Sequence, residues 1–220
     1  MDNWNTQEVI ATAASCCADL VNHSDVLMQL LFNGHQIENF LIFDHLGVLT
    51  PSCHEDAMDS CLNSLDYQVQ ERFASTVMAD FLRHACDLPD LQVQITKAYH
   101  KLFPERKLEF FTPSSALVDL NAGWLAQEVS HIAFRPVFST TPKNKLHDAI
   151  RNCGFGLGMA GVNPNEHQST NQWSPNGVVV QYFNKVVPIL GRIKIELVTT
   201  STEPITQVSN MVNPALAVAA

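Results

Sequence analysis

The residues with the most compact capacity for chemistry are Cys153-Gly154-Phe155-Gly156-Leu157-Gly158-Met159-Ala160-Gly161, in which Gly156, Gly158 and Gly161 spell G-x-G-x-x-G. A dinucleotide site needs that string after a strand and opening a helix, so that free backbone donors at the helix N-terminus meet the pyrophosphate. Here a helical pattern precedes the glycines and Asn163-Pro164-Asn165 follows. The expected reading is a helix-exit loop. Gly158 and Gly161 also frame a G-x-x-G turn, whose small residues let a backbone approach nucleic-acid phosphates closely.

Around this loop stand Arg135, Lys143, Lys145 and Arg151, then Lys185, Arg192 and Lys194, interleaved with Phe134, Phe138, Tyr182 and Phe183. Cations beside aromatic rings on a sheet neutralise phosphates while the rings stack unpaired bases. Those seven cations with Gly158 and Gly161 are the candidate nucleic-acid contacts, and RNA or single-stranded nucleic acid is the expected partner.

Metal and nucleophile chemistry is weaker in the sequence. Cys53, His54, Cys61, His84 and Cys86 lie close together, but no C-x-x-C knuckle announces structural zinc. Cys153, with His147, Asp148 and His167 nearby, is the candidate for a Cys/His hydrolase. It ends a helical pattern, where the dipole opposes a thiolate. Neither G-x-S-x-G, H-E-x-x-H nor G-K-[ST] occurs. No catalytic residue, metal ligand or cofactor is assigned.

The elements that would position these residues change along the chain. Apolar positions at three- and four-residue steps mark a helix over 4–21, a second from Val26 to Phe32 and a third over 36–46, closed by Gly47. Ser52 and Glu55 form a capping box opening a fourth. The series Leu65, Val69, Phe73, Val77, Phe81 predicts further helix up to Pro89, and Leu91 to Leu102 a last one. After Pro104, Lys107 to Thr112, His131 to Ser139, Val178 to Phe183 and Gly191 to Thr200 read as strands, with a helix over 143–152 between them. Residues 161–177 have loop chemistry, and no internal repeat is evident.

The expected fold is therefore α+β. An acidic all-helical half (1–104) packs with an α+β half (105–201) built on a small, about four-stranded, mainly antiparallel sheet, and 202–220 form a flexible tail. Of 220 residues, 13 Lys+Arg stand against 22 Asp+Glu, a formal net charge of −9. Residues 1–104 hold four cations and fourteen anions, a net of −10; the remainder nets +1. Acidity thus describes the first half, which suits a basic protein partner, and leaves the second half open to a polyanion.

Hydrophobic residues at 46% and charged residues at 16% exclude wholesale disorder. No apolar run is long enough for a membrane span. Six irregularly spaced cysteines fit a reduced, cytoplasmic protein. These features together predict a non-catalytic intracellular binding protein of the phage or viral accessory kind, contacting RNA or single-stranded nucleic acid through residues 105–201. A protein-binding scaffold or assembly factor is the alternative, and a Cys/His hydrolase the second.

Overall fold

A computed structural model describes residues 5–32, 37, 40–115, 122–137, 143–163, 178–187 and 191–200. The chain forms two compact units, Met1–His23 with Asp44–His131, and Ser24–Phe43 with Ile132–Ala220.

The first unit opens with α1 (Thr6–Asn22). Asn5 caps it, its side-chain oxygen accepting from the Gln7 N–H at 2.8 Å. Ile10, Ala13 and Cys17, one stripe of the helix, are buried. Then follow β1 (Leu41–Leu49), whose residues up to Phe43 belong to the second unit, α3 (Glu55–Ser64), β2 (Tyr67–Ala74), α4 (Thr76–Cys86), β3 (Val93–His100), β4 (Lys107–Pro113) and α5 (Ala122–Val129), with α2 (Ser24–Phe32) preceding β1 and belonging to the second unit. Strand order in the first unit is β2-β3-β4-β1. The β2/β3 and β3/β4 pairs are antiparallel, whereas β1 runs parallel to β4 with Gly47 opposite Glu109.

The second unit holds β5 (His131–Pro136), whose first residue closes the first unit, then α6 (Lys143–Asn152), β6 (Gly156–Asn163), β7 (Val178–Val187) and β8 (Gly191–Thr200). Its order is β5-β8-β7-β6. The pairs β6/β7 and β7/β8 are antiparallel, and β5 runs parallel to β8 with Ala133 opposite Glu196. Phe32 packs edge-on to Phe134 at 5.6 Å between ring centroids and tilted against Phe155 at 5.8 Å. Ile150, Cys153 and Phe183 belong to the same core.

The expectation of a helical half joined to a four-stranded sheet is corrected by the eight strands. Half of them fall before residue 114. Leu41–Leu49 is a strand and not the third helix. It is a short apolar run, and periodicity does not distinguish a fully buried strand from helix in such a run. In Tyr67–Ala74 the step of four through Val69 and Phe73 is equally a step of two, and the intervening Gln68, Gln70 and Arg72 show which applies. Val93–His100 likewise replaces the last expected helix. Helix α3 begins after His54, which makes no side-chain cap, so Ser52 is not its cap. The loop over 164–177 and the tail over 202–220 lie outside the described residues. Among the described residues no helix is long and apolar enough to cross a membrane.

The two units repeat one topology, which corrects the expectation of no internal repeat. Strand, helix, then three strands recur as β1-α3-β2-β3-β4 and β5-α6-β6-β7-β8, with α4 inserted in the first. In each, the first strand lies parallel to the fourth. A register shift falls at the same place in both, between Val69 and Glu71 in β2 and between Leu157 and Met159 in β6.

Candidate metal centre

Strand register in the first unit places a row of side chains on one face of the sheet. Glu71 pairs with Lys97, Lys97 with Glu109, and Glu109 with Gly47. Two residues before Gly47, on the same face of β1, is His45. A Cβ on Gly47 would lie 2.2 Å from Cε1 and 2.3 Å from Nε2 of His131, so the absence of a side chain there admits the imidazole. Donor atoms of His45, Glu109 and His131 consequently lie within 4.8 Å of one another, and all three residues are buried.

Hydrogen bonding orients both imidazoles. His131 Nδ1 lies 2.7 Å from the Val129 carbonyl oxygen, which only accepts, so Nδ1 carries the hydrogen and Nε2 the lone pair of the neutral ring. His45 Nδ1 lies 3.0 Å from Oδ2 of Asp44, and its Nε2 lies 2.8 Å from Oε2 of Glu109. An imidazole between two carboxylates needs a hydrogen directed at Asp44 and, on the Glu109 side, either a second proton or a metal ion. The Asp44–His45 contact is the carboxylate–histidine arrangement that fixes the tautomer of metal-ligating histidines. Burial alone would raise the Asp44 carboxyl, but the hydrogen bond and charge of His45, with Lys107 and Lys97, hold it well below the usual carboxylate range.

The donor set fits a metal ion. Bonds of about 2.1 Å put adjacent ligand atoms roughly 3 Å and opposite ones roughly 4 Å apart. Two imidazole nitrogens and a carboxylate oxygen suit a borderline divalent cation such as Zn2+ or Fe2+ better than Mg2+ or Ca2+, which take oxygen donors. None of Cys53, His54, Cys61, His84 and Cys86 takes part.

The sequence reading missed these residues, yet it contained a signal. His45-Leu46-Gly47 matches His131-Ile132-Ala133, and Lys107-Leu108-Glu109 matches Lys194-Ile195-Glu196. Each His stands two residues before the partner of its Glu, at the same register in both units. Glu196 is accordingly a buried carboxylate at the position in β8 that Glu109 has in β4.

The nucleic-acid reading is corrected by the second unit. Gly158 and Gly161 lie in strand β6 and frame no turn. Phe134, Tyr182 and Phe183 are buried, so they offer no stacking platform, and Phe138 lies outside the described residues. Lys185 is half-buried; its Nζ donates to the Leu31 carbonyl at 3.2 Å and sits 5.3 Å from the Phe155 ring centroid. Lys194 is buried with its Nζ 4.9 Å from the Tyr182 ring centroid. Arg135 is half-buried on β5, whereas Lys145, Arg151 and Arg192 are exposed. Lys143 opens α6, and its side chain is outside the described set. Lys185 and Lys194 are thus held by backbone and rings inside their own unit and are not offered to a phosphate. The hydrolase alternative fares no better. Cys153 is a buried part of the core, and burial pushes its thiol up despite the charge of Lys185.

No family model and no curated protein matches the chain. Among solved structures it is similar to two variants of a Streptomyces coelicolor methylmalonyl-CoA epimerase in complex with 2-nitronate-propionyl-CoA. Each likeness has a TM-score of 0.41 and 15% identity, and covers 73% of this chain and 97% of that one. It is also similar to a glyoxalase family protein from Bacillus cereus, with a TM-score of 0.26, 14% identity, and 71% and 92% of the two chains covered. The phage or viral accessory reading rests on composition alone and is corrected together with the nucleic-acid one.

Proposed function

We propose that this protein binds a divalent transition-metal ion through His45 Nε2, Glu109 Oε2 and His131 Nε2, and uses it as a Lewis acid on a small oxygen-bearing substrate. The observation that carries this reading is the convergence of three buried donors within 4.8 Å, drawn from three different strands. Two imidazole nitrogens and a carboxylate oxygen buried together bring lone pairs to one place, and a metal ion would satisfy all three at once. An ion held by these donors would polarise a carbonyl oxygen or lower the pKa of a bound water. Strands hold the donors, which preorganises the set.

Elemental analysis of the purified protein, followed by Co2+ titration of the metal-stripped form, tests the proposal. We expect close to one equivalent of metal per chain and a visible Co2+ spectrum that shifts when small carboxylate or hydroxamate ligands are added. Absence of any tight metal uptake overturns it. A bound ion whose spectrum ignores added ligands overturns the Lewis-acid role and leaves a structural ion.

A further inference from the structure

Beyond the donors, the same face of the first unit carries a buried cation. Lys97, on β3, stands between two carboxylates in register, Glu71 on β2 and Glu109 on β4. Its Nζ is 3.9 Å from Oε1 of Glu71 and 3.6 Å from Oε1 of Glu109. The ammonium also lies 5.3 Å from the Phe73 ring centroid. Both separations exceed hydrogen-bond length, so Lys97 acts on the carboxylates through charge. The two oxygens of Glu109 are divided between different neighbours. Oε1 faces Lys97, and Oε2 faces Nε2 of His45 at 2.8 Å.

We propose that Lys97 sets the charge of the site: facing Oε1 of Glu109, it lowers the affinity for a metal ion held at Oε2. The proposal rests on the metal reading above and deepens it. Along the row, charge alternates from Glu71 to Lys97 to Glu109, and the ion is the next cation in the series. Lys97 and the ion therefore share the negative charge of Glu109. In the metal-free protein Lys97 supplies the compensation that keeps a buried Glu109 tolerable. In the loaded protein it is a like charge near the ion, which keeps binding reversible. Glu71 draws Lys97 in the opposite direction and moderates its effect.

A merely structural lysine and a charge-setting lysine differ in sign. Loss of a packing residue disorders the donors and weakens metal binding. Loss of the charge leaves Glu109 more negative and strengthens it, while the metal-free form becomes less stable and recovers on loading. Loss of an outer-shell partner of a metal ligand typically lowers affinity by about 10- to 100-fold, so a gain on losing Lys97 is the distinguishing sign.

The experiment is Co2+ titration by calorimetry and visible absorption on wild type, Lys97→Met, Lys97→Arg and Glu71→Gln, with circular dichroism as the check on folding. We expect Lys97→Met to bind about tenfold tighter, with a larger metal-induced rise in Tm than wild type. Lys97→Arg should keep the wild-type affinity within about twofold, and Glu71→Gln should bind about tenfold weaker. A folded Lys97→Met that binds no tighter overturns the proposal. Should Lys97→Met not fold, Glu71→Gln decides: unchanged or tighter binding overturns the proposal, and weaker binding with wild-type behaviour in Lys97→Arg supports it. Wild-type protein that takes up no metal brings down the metal reading and this proposal with it. Normal wild-type uptake with unresponsive variants brings down the role of Lys97 alone.

Discussion

Gly47 and His131 share one space: a Cβ on Gly47 would stand 2.2 Å from the imidazole Cε1, closer than any tolerated contact. The φ of Gly47 is not positive, so its role is room and not backbone freedom. The candidate metal centre exists because β1 has no side chain at the point where Glu109 pairs with it.

Gly47→Ala is expected to displace His131 and lower Co2+ affinity at least about tenfold, since a misplaced ligand costs as much as a lost orienting partner. Gly156→Ala is the control, because its nearest atom, the Asn184 carbonyl oxygen, is 4.0 Å away. That variant should bind metal as wild type does. Equal binding by Gly47→Ala and wild type would show that His131 is not a ligand.

His45→Ala, Glu109→Gln and His131→Ala should each remove most metal binding, and the losses should not add, because the three donors act as one set. Calorimetric titration of the single and double variants measures this. Additive small losses would mean the ion sits elsewhere.

Asp44→Asn addresses the orientation of His45. Its Oδ2 is 3.0 Å from His45 Nδ1, and loss of the carboxylate charge should weaken metal binding by about 10- to 100-fold while the fold persists. Wild-type affinity in this variant would sink the carboxylate–histidine reading.

Alkaline stability is set near α1. Burial pushes the Cys17 thiol from 9.0 up to about 12 against the charges of His45 and Arg106, and its Sγ donates to the Lys107 carbonyl at 3.3 Å. Tyr67 is raised as well, first by burial and then by the charge of Cys17. A group with a raised folded pKa keeps its full contribution below its unfolded value and loses it as pH rises towards the folded one. Denaturant midpoints should therefore fall progressively from about pH 9 to pH 12. Cys17→Ala should flatten the first part of that decline, and Tyr67 should preserve the later part. A wild-type midpoint that stays constant over this range would refute the assignment.

In the second unit, Phe32 is fully buried and touches both Phe134 and Phe155. Phe32→Ala should cost about 3–5 kcal/mol, read from urea unfolding. A cost under about 1 kcal/mol would mean the ring is not part of a packed core.

Local chemistry determined several elements by itself. The stripe of Ile10, Ala13 and Cys17 specifies α1, the spacing of Leu146, Ala149 and Ile150 specifies α6, and the alternation from Arg192 to Leu197 specifies β8. Each of these is a pattern within one turn or one pleat, where neighbours in sequence decide the outcome. What the tertiary structure decided was the reading of ambiguous runs. Leu41–Leu49 is a largely apolar run, and only the neighbouring β4 makes it a strand. Gly156–Asn163 carries loop chemistry, and only pairing with β7 straightens it. The candidate site depends on this second kind of information. His45 and Glu109 are 64 residues apart, and His131 and Glu196 are 65 apart, in matching H-x-[GA] and K-x-E strings. Those strings were visible in the sequence, but their meaning was not. His45 meets Glu109 only through strand register, which is fixed by the hydrogen-bonded partner and not by the residues beside it.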